Sequence, residues 1–269
     1  MRVPEPILTA HLFPPLDAAL VQLLRSLTPS QWDLPTAAGS WKVKDVAAHL
    51  LDTALRRLSM QRDRFTPPLP PDAFARGLGG FVNDANARWV GAARHLSPAI
   101  LVELLSIYGP QNSAYLASLD PHAPAEWGVS WAGEETSANW FDVARELTER
   151  WHHQQQIRDA VGAPALYDGY LAPVIDTFVR ALPFTYREVD APRGVSVVVR
   201  VPEAGAWSLV REDGWVLSVG EAENATTTIK LPGDAAWRLF TKQLTEPRAR
   251  IEGDERYAAP LLAMICIVA

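Results

Sequence analysis

Three side chains in this sequence have the types and spacing to share one metal ion. Glu149 and His153 stand four residues apart in ELTERWHHQQQIRDAVG, residues 146–162. On a helix, residues i and i+4 lie one above the other with Cβ atoms roughly 6 Å apart. A carboxylate oxygen and an imidazole nitrogen can therefore meet the same cation. His49, in DVAAHLLDTALRRL, sits midway along a second helical pattern and offers a third donor. Two histidines and one carboxylate form a zinc set that leaves room for water or substrate. Nickel, iron and manganese accept related donors, so the spacing leaves the metal's identity open.

The same residues also have a plainer reading. At about 100° per residue, Trp140, Val143, Ala144, Leu147 and Trp151 form one apolar stripe, and Glu149 and His153 fall nearly opposite it. His49 likewise lies off the apolar face of its helix, near Asp45, Asp52 and Arg56. On a solvated face a Glu–His pair contributes only roughly a few tenths of a kcal/mol. A cleft bounded by two polar helix edges would satisfy both readings. His152 points about 100° away from His153, which sets it behind the ligands or on the surface. Glu146, one turn before Glu149, reads as a solvated charge or a group that orients a ligand. His11, His95 and His122 lack paired ligands and read as surface or structural residues.

These groups need helices to hold them. Pro14 and Pro15 suit the first turn of a helix running to about Leu27. Ser40 is placed to cap the next, Trp41 to Arg64, whose Val43, Val46, Ala47, Leu50, Leu51, Ala54, Leu55 and Leu58 recur at helical spacing. A Pro-rich loop, TPPLPPD at 66–72, leads to helices at 81–95 and 98–118. Residues 120–135 read as a long loop carrying Trp127 and Trp131, and the segment 120–140 is placed to wall a cleft. The helix of Glu149 and His153 spans about 138–161 and is ended by Gly162 and Pro164. This pattern predicts an up-and-down four-helix bundle over residues 1–165. A linker with one helix, Leu171 to Leu182, occupies 166–193. Residues 194–269 then change character: GVSVVVRV reads as strand, and Asp213-Gly214 between two alternating runs signals a hairpin. ATTTIKLPG reads as a further strand, Asp234 as a helix cap, Arg248 to Ile251 as strand, and Asp254 as the cap of a last apolar helix. The fold class is α+β in two domains.

The 269 residues, 48% hydrophobic, suffice for a sizeable core. The net charge of −6 and the lack of a Lys/Arg block argue against a nucleic-acid partner. Cys266 alone cannot form an internal disulfide or a Cys-rich zinc site, and reads as a buried, inert thiol. The proline-broken N-terminus lacks a signal-peptide core, and the apolar tail is too short to span a bilayer. A cytoplasmic protein without membrane contact is expected. Ten tryptophans imply bulky core packing or an aromatic-walled cleft.

Residues 28–58, TPSQWDLPTAAGSWKVKDVAAHLLDTALRRL, resemble the opening of the mycothiol-dependent maleylpyruvate isomerase-like family of the DinB-like superfamily; Trp32, Trp41, Asp45, Val46, His49 and Leu50 carry the pattern. The later Glu149-x-x-x-His153 matches that family's second ligand motif. TTTIKLPGDAAWRLFT and ARIEGDERYAAPLLAMI resemble the sterol-carrier-like domain often attached to such bundles. The resemblance implies a divalent ion, usually zinc, held by His49, Glu149 and His153, and a low-molecular-weight thiol such as mycothiol as cosubstrate. It implies isomerisation, in which a thiolate adds to a conjugated double bond and leaves after rotation, or thiol transfer, on a small electrophilic or anionic substrate. After His153 the chain continues Gln154-Gln155-Gln156-Ile157, which is similar to general DinB-like bundles that include thiol transferases. Arg238, Lys242, Arg248 and Arg250 are bases that an acidic substrate could meet, or solvated charges. No further catalytic or thiol-binding residue is assigned. The rival from another class is a non-catalytic protein with a structural metal and an apolar ligand in its C-terminal domain; a scaffold without metal is a third.

Overall fold

The helices form where apolar residues recur every three to four positions, and they surround the apolar side chains that recur. The structure is a computed structural model; it describes residues 1–69, 74–244, 246 and 248–267. The Pro-rich segment 66–72 lies partly outside them. Two compact units emerge. One comprises Thr9–Glu126 and Glu149–Leu166, the other Met1–Leu8, Trp127–Thr148 and Tyr167–Ile267.

The first unit is helical. It contains α1 (Phe13–Ser26), α2 (Val43–Arg57), α3 (Gly77–Ala93), α4 (Pro98–Ser118) and the second part of α5 (Asn139–Val161). Leu20, Leu24, Val46, Leu50, Leu51, Ala93, Leu101, Leu105 and Ile157 bring all five into one apolar core. This is the expected bundle, with three local differences. Ser40 does not cap α2. Lys42 occupies that position, and its backbone N–H donates to the Asp45 carboxylate at 3.2 Å; an acid in the first turn serves the helix end as well as a hydroxyl before it. The helix also stops at Arg57 and unwinds into a π-helical turn, Leu58–Arg62. Finally, α3 begins at Gly77, four residues ahead of expectation. Gly162, with φ of +71°, ends α5 as expected, in a conformation that costs other residues a Cβ clash.

The second unit is α+β. Strands β1 (Ser196–Val201), β2 (Gly205–Arg211), β3 (Trp215–Val219), β4 (Thr227–Lys230) and β5 (Arg250–Gly253) form a sheet of order β3-β2-β1-β4-β5. Central β1 pairs antiparallel with β2 and parallel with β4, and its valines are buried. The hairpin stands where Asp213-Gly214 signals it, but Arg211 pairs with Trp215, so the loop has three residues. The helices α6 (Leu171–Val179), α7 (Leu182–Thr185), α8 (Gly233–Phe240) and α9 (Ala259–Leu262) complete the unit. The single helix expected over 171–182 is thus broken into α6 and a turn of α7. Pro232, not Asp234, precedes α8. Asp254 caps a 3-10 turn, Glu255–Tyr257, accepting from Arg256 N–H, rather than the last helix itself. Phe178, Trp237, Phe240 and Cys266 are fully buried, and the Cys266 thiol points at the Phe178 carbonyl, 3.7 Å away.

Candidate metal centre

The site begins with how α2 is held. Val46, Ala47, Leu50 and Leu51 are buried, and the Trp89 indole of α3 donates to the Ala48 carbonyl at 2.8 Å. Those contacts fix the helix rotation and leave His49 on the remaining inner face, 5% exposed. Opposite, α5 is pinned through residues 151 and 155. The Trp151 indole donates to the Leu166 carbonyl at 2.7 Å, and the Gln155 amide both accepts from and donates to the Leu166 backbone at 3.0 and 3.3 Å. With that side engaged, Glu149 and His153 turn towards α2.

One ligand-capable atom from each of His49, Glu149 and His153 lies within 4.8 Å of the others. The His153 Nε2 is 3.6 Å from the Glu149 carboxylate, and the His49 and His153 rings meet edge-on at 4.7 Å. The Trp41 ring, half-buried, lies 5.0 Å from His49 and 6.4 Å from His153. His153 Nδ1 is 2.8 Å from the Gln156 Oε1. A carbonyl oxygen only accepts, so the imidazole donates through Nδ1, which in the neutral ring leaves the lone pair on Nε2.

The environment differs from the solvated face that the helical stripe suggested. His153 is 8% exposed and Glu149 only partly exposed. His152, Gln154, Gln155 and Gln156 are buried as well. The surface reading of His152 gives way: it is buried, and its ring centroid lies 4.1 Å from that of His153, the planes tilted by 35°. Glu146 is buried too, not a solvated charge. Polar residues here line an interior layer, which a wheel projection assigns to solvent. Burial, reinforced by His153, Arg56 and His152, holds the His49 imidazole well below its ordinary pKa and so neutral. Its Nδ1 is buried without a hydrogen-bond partner, a cost on the order of 1–3 kcal/mol for a polar atom removed from water. Two imidazoles and one carboxylate are a donor set that fits a divalent cation.

Beside the three donors, α1, α4 and α5 share a buried ionic chain that the spacing did not reveal. The Arg150 guanidinium donates to Asp17 at 2.6 Å, and Asp17 accepts from the Ser113 hydroxyl at 2.6 Å. Gln156 and Trp41 were likewise not singled out as site residues. The three-residue interval between His153 and Gln156 was the available signal for the first. His11, His95 and His122 are exposed, as expected. In the other unit, Arg238 pairs with Asp234 at 2.9 Å and covers the Trp237 ring. Trp131 packs on Phe141 and Phe178. Arg248 and Arg250, with Glu203 and Lys230, line a groove of about 360 Å³, while Lys242 is exposed. Among the described residues no helix is long and apolar enough to cross a membrane.

Residues 13–158, more than half of the chain, match the family model of the mycothiol maleylpyruvate isomerase N-terminal domain. No curated protein matches the sequence. Two similar solved structures are the mycothiol-dependent maleylpyruvate isomerase and a histidine-to-alanine mutant of it. Each is 12% identical with a TM-score of 0.58, over 90% of this chain and 91% of the other. That likeness shows a shared fold through both the helical part and the sheet. On the extent of the family match, the chain belongs to the family of mycothiol maleylpyruvate isomerase N-terminal domains.

Proposed function

We propose that the protein is a metal- and thiol-dependent enzyme that isomerises a small electrophilic or anionic compound, or transfers a low-molecular-weight thiol to it. The observation that carries this reading is the convergence of His49, Glu149 and His153 within 4.8 Å. Family membership supports it. Residues 1–165 form the metal-bearing part in this reading, 166–193 a linker and 194–269 a sterol-carrier-like domain, and the protein acts in the cytoplasm.

His49 binds as a neutral imidazole because burial keeps the proton off it. His153 presents Nε2 because Gln156 accepts from Nδ1–H. Glu149 contributes the one negative charge, leaving a net positive site with a divalent ion. Trp41 shields the flank of both rings from water. His49, Glu149 and His153 would hold a divalent cation, zinc first, which would supply a lowered pKa to a thiol bound there, so that the sulfur would be thiolate near neutral pH. With ion and thiol bound, the chemistry supplied would be reversible addition of the thiolate to a conjugated double bond, and its reversal after bond rotation would release the same thiolate and the isomerised product.

The test is a cobalt-substituted protein titrated with mycothiol and with glutathione, followed by assay against maleylpyruvate and related unsaturated acids. A thiol-to-metal charge-transfer band and thiol-dependent turnover are expected. Cobalt bound with no spectral response to any thiol would overturn the thiol reading.

A further inference from the structure

His153 has two faces, and only one of them meets the other donors. Its Nε2 is 3.6 Å from the Glu149 carboxylate, while its Nδ1 lies 2.8 Å from the side-chain oxygen of Gln156, three residues on. Gln156 is buried and projects from the same rigid turn of α5. The neighbouring glutamine is committed elsewhere, since Gln155 brackets the Leu166 backbone from both sides.

We propose that Gln156 is a positioning residue that selects the Nδ1–H tautomer of His153 and aims its Nε2 lone pair at the point shared with His49 and Glu149. This rests on the metal reading above. The amide oxygen accepts the Nδ1 proton, and that proton cannot then reside on Nε2. The ring is also held against rotation, which matters because His49 reaches the site from a different helix and cannot follow a displaced partner. The acceptor is neutral. A carboxylate in its place would add a second negative charge behind the ligand, make the imidazole more basic, and hold the cation more tightly. An amide fixes direction without that charge, so the cation stays more electrophilic towards a fourth donor.

The experiment measures zinc affinity by chelator competition for tag-free wild type, Gln156→Leu and Gln156→Glu, with the thermal midpoint of each apo-protein alongside. Gln156→Leu is expected to bind zinc about 10- to 100-fold more weakly. Gln156→Glu, which restores an acceptor, is expected to bind at least as tightly as wild type. Wild-type affinity in Gln156→Leu overturns the proposal, as does equal weakening in both variants accompanied by matching losses of apo-protein stability. Should the leucine variant not fold, ¹⁵N shifts of the apo wild-type histidines decide instead: an Nε2–H tautomer at His153 overturns the assignment, and Nδ1–H supports it. A wild type that takes up no zinc removes the metal reading itself, a result distinct from unaltered affinity in the variant.

Discussion

His152 and His153 are neighbours in sequence, yet only His153 belongs to the group of possible donors with His49 and Glu149. The difference is the 100° turn between adjacent helical residues, and the sequence alone makes it legible. Burial is not legible there. Glu146, His152, Gln154, Gln155 and Gln156 present polar atoms on several faces of α5, and a projection that sends polar faces to water sends these out. The contacts that can be named come from outside the repeat or from its own next turn: Gln155 brackets the Leu166 backbone and Gln156 meets His153, neither of which a single helical repeat shows. The distinction between the two histidines has a test. His152→Ala is expected to keep the metal content of wild type, because that ring packs against the ligand and lies outside the donor group. Elemental analysis checks it, and loss of the ion in that variant would move His152 into the ligand set.

Among the elements, helix and strand positions follow the hydrophobic period closely, whereas their ends follow local chemistry. Asp45 caps α2 from inside its first turn, and the break between α6 and α7 precedes Pro183, whose ring cannot continue a helix. What holds helices to each other is hidden from the sequence pattern, since Asp17, Ser113 and Arg150 are far apart in the chain and meet through 2.6 Å contacts. Asp17→Ala removes the carboxylate to which buried Arg150 donates, and is expected to destabilise the apo-protein by about 3 kcal/mol. Asp213→Ala, at an exposed pair with Arg193, should change stability by less than about 0.5 kcal/mol. Gly162→Ala forces a Cβ into a left-handed conformation at the end of α5 and should cost about 1 kcal/mol, with no steric neighbour to add to it. Urea denaturation of the three variants orders these values.

Over the whole molecule, composition indicated a protein with a large core, and the order of patterns indicated helices followed by an α+β part; both hold. Half of the ten tryptophans serve the core, as Trp32, Trp151, Trp207, Trp215 and Trp237 are buried, and Trp41 lies beside the candidate centre. Cys266 bears on thiol chemistry by exclusion. Burial raises its pKa well above the ordinary thiol value, so the native protein holds it protonated through the neutral and mildly alkaline range, and the thiolate becomes accessible only on unfolding. A disulfide reagent at about pH 8 is expected to leave the folded protein unmodified and to titrate the thiol in denaturant; rapid reaction of the native protein would contradict the packing of the second unit. In the proposed function the sulfur therefore comes from a thiol in solution and not from Cys266. The most direct test of that function is elemental analysis of tag-free protein. The account predicts about one divalent ion per chain in the wild type, its loss in both His49→Ala and His153→Ala, and its retention in His122→Ala. Full metal content in both of the first two variants would contradict it.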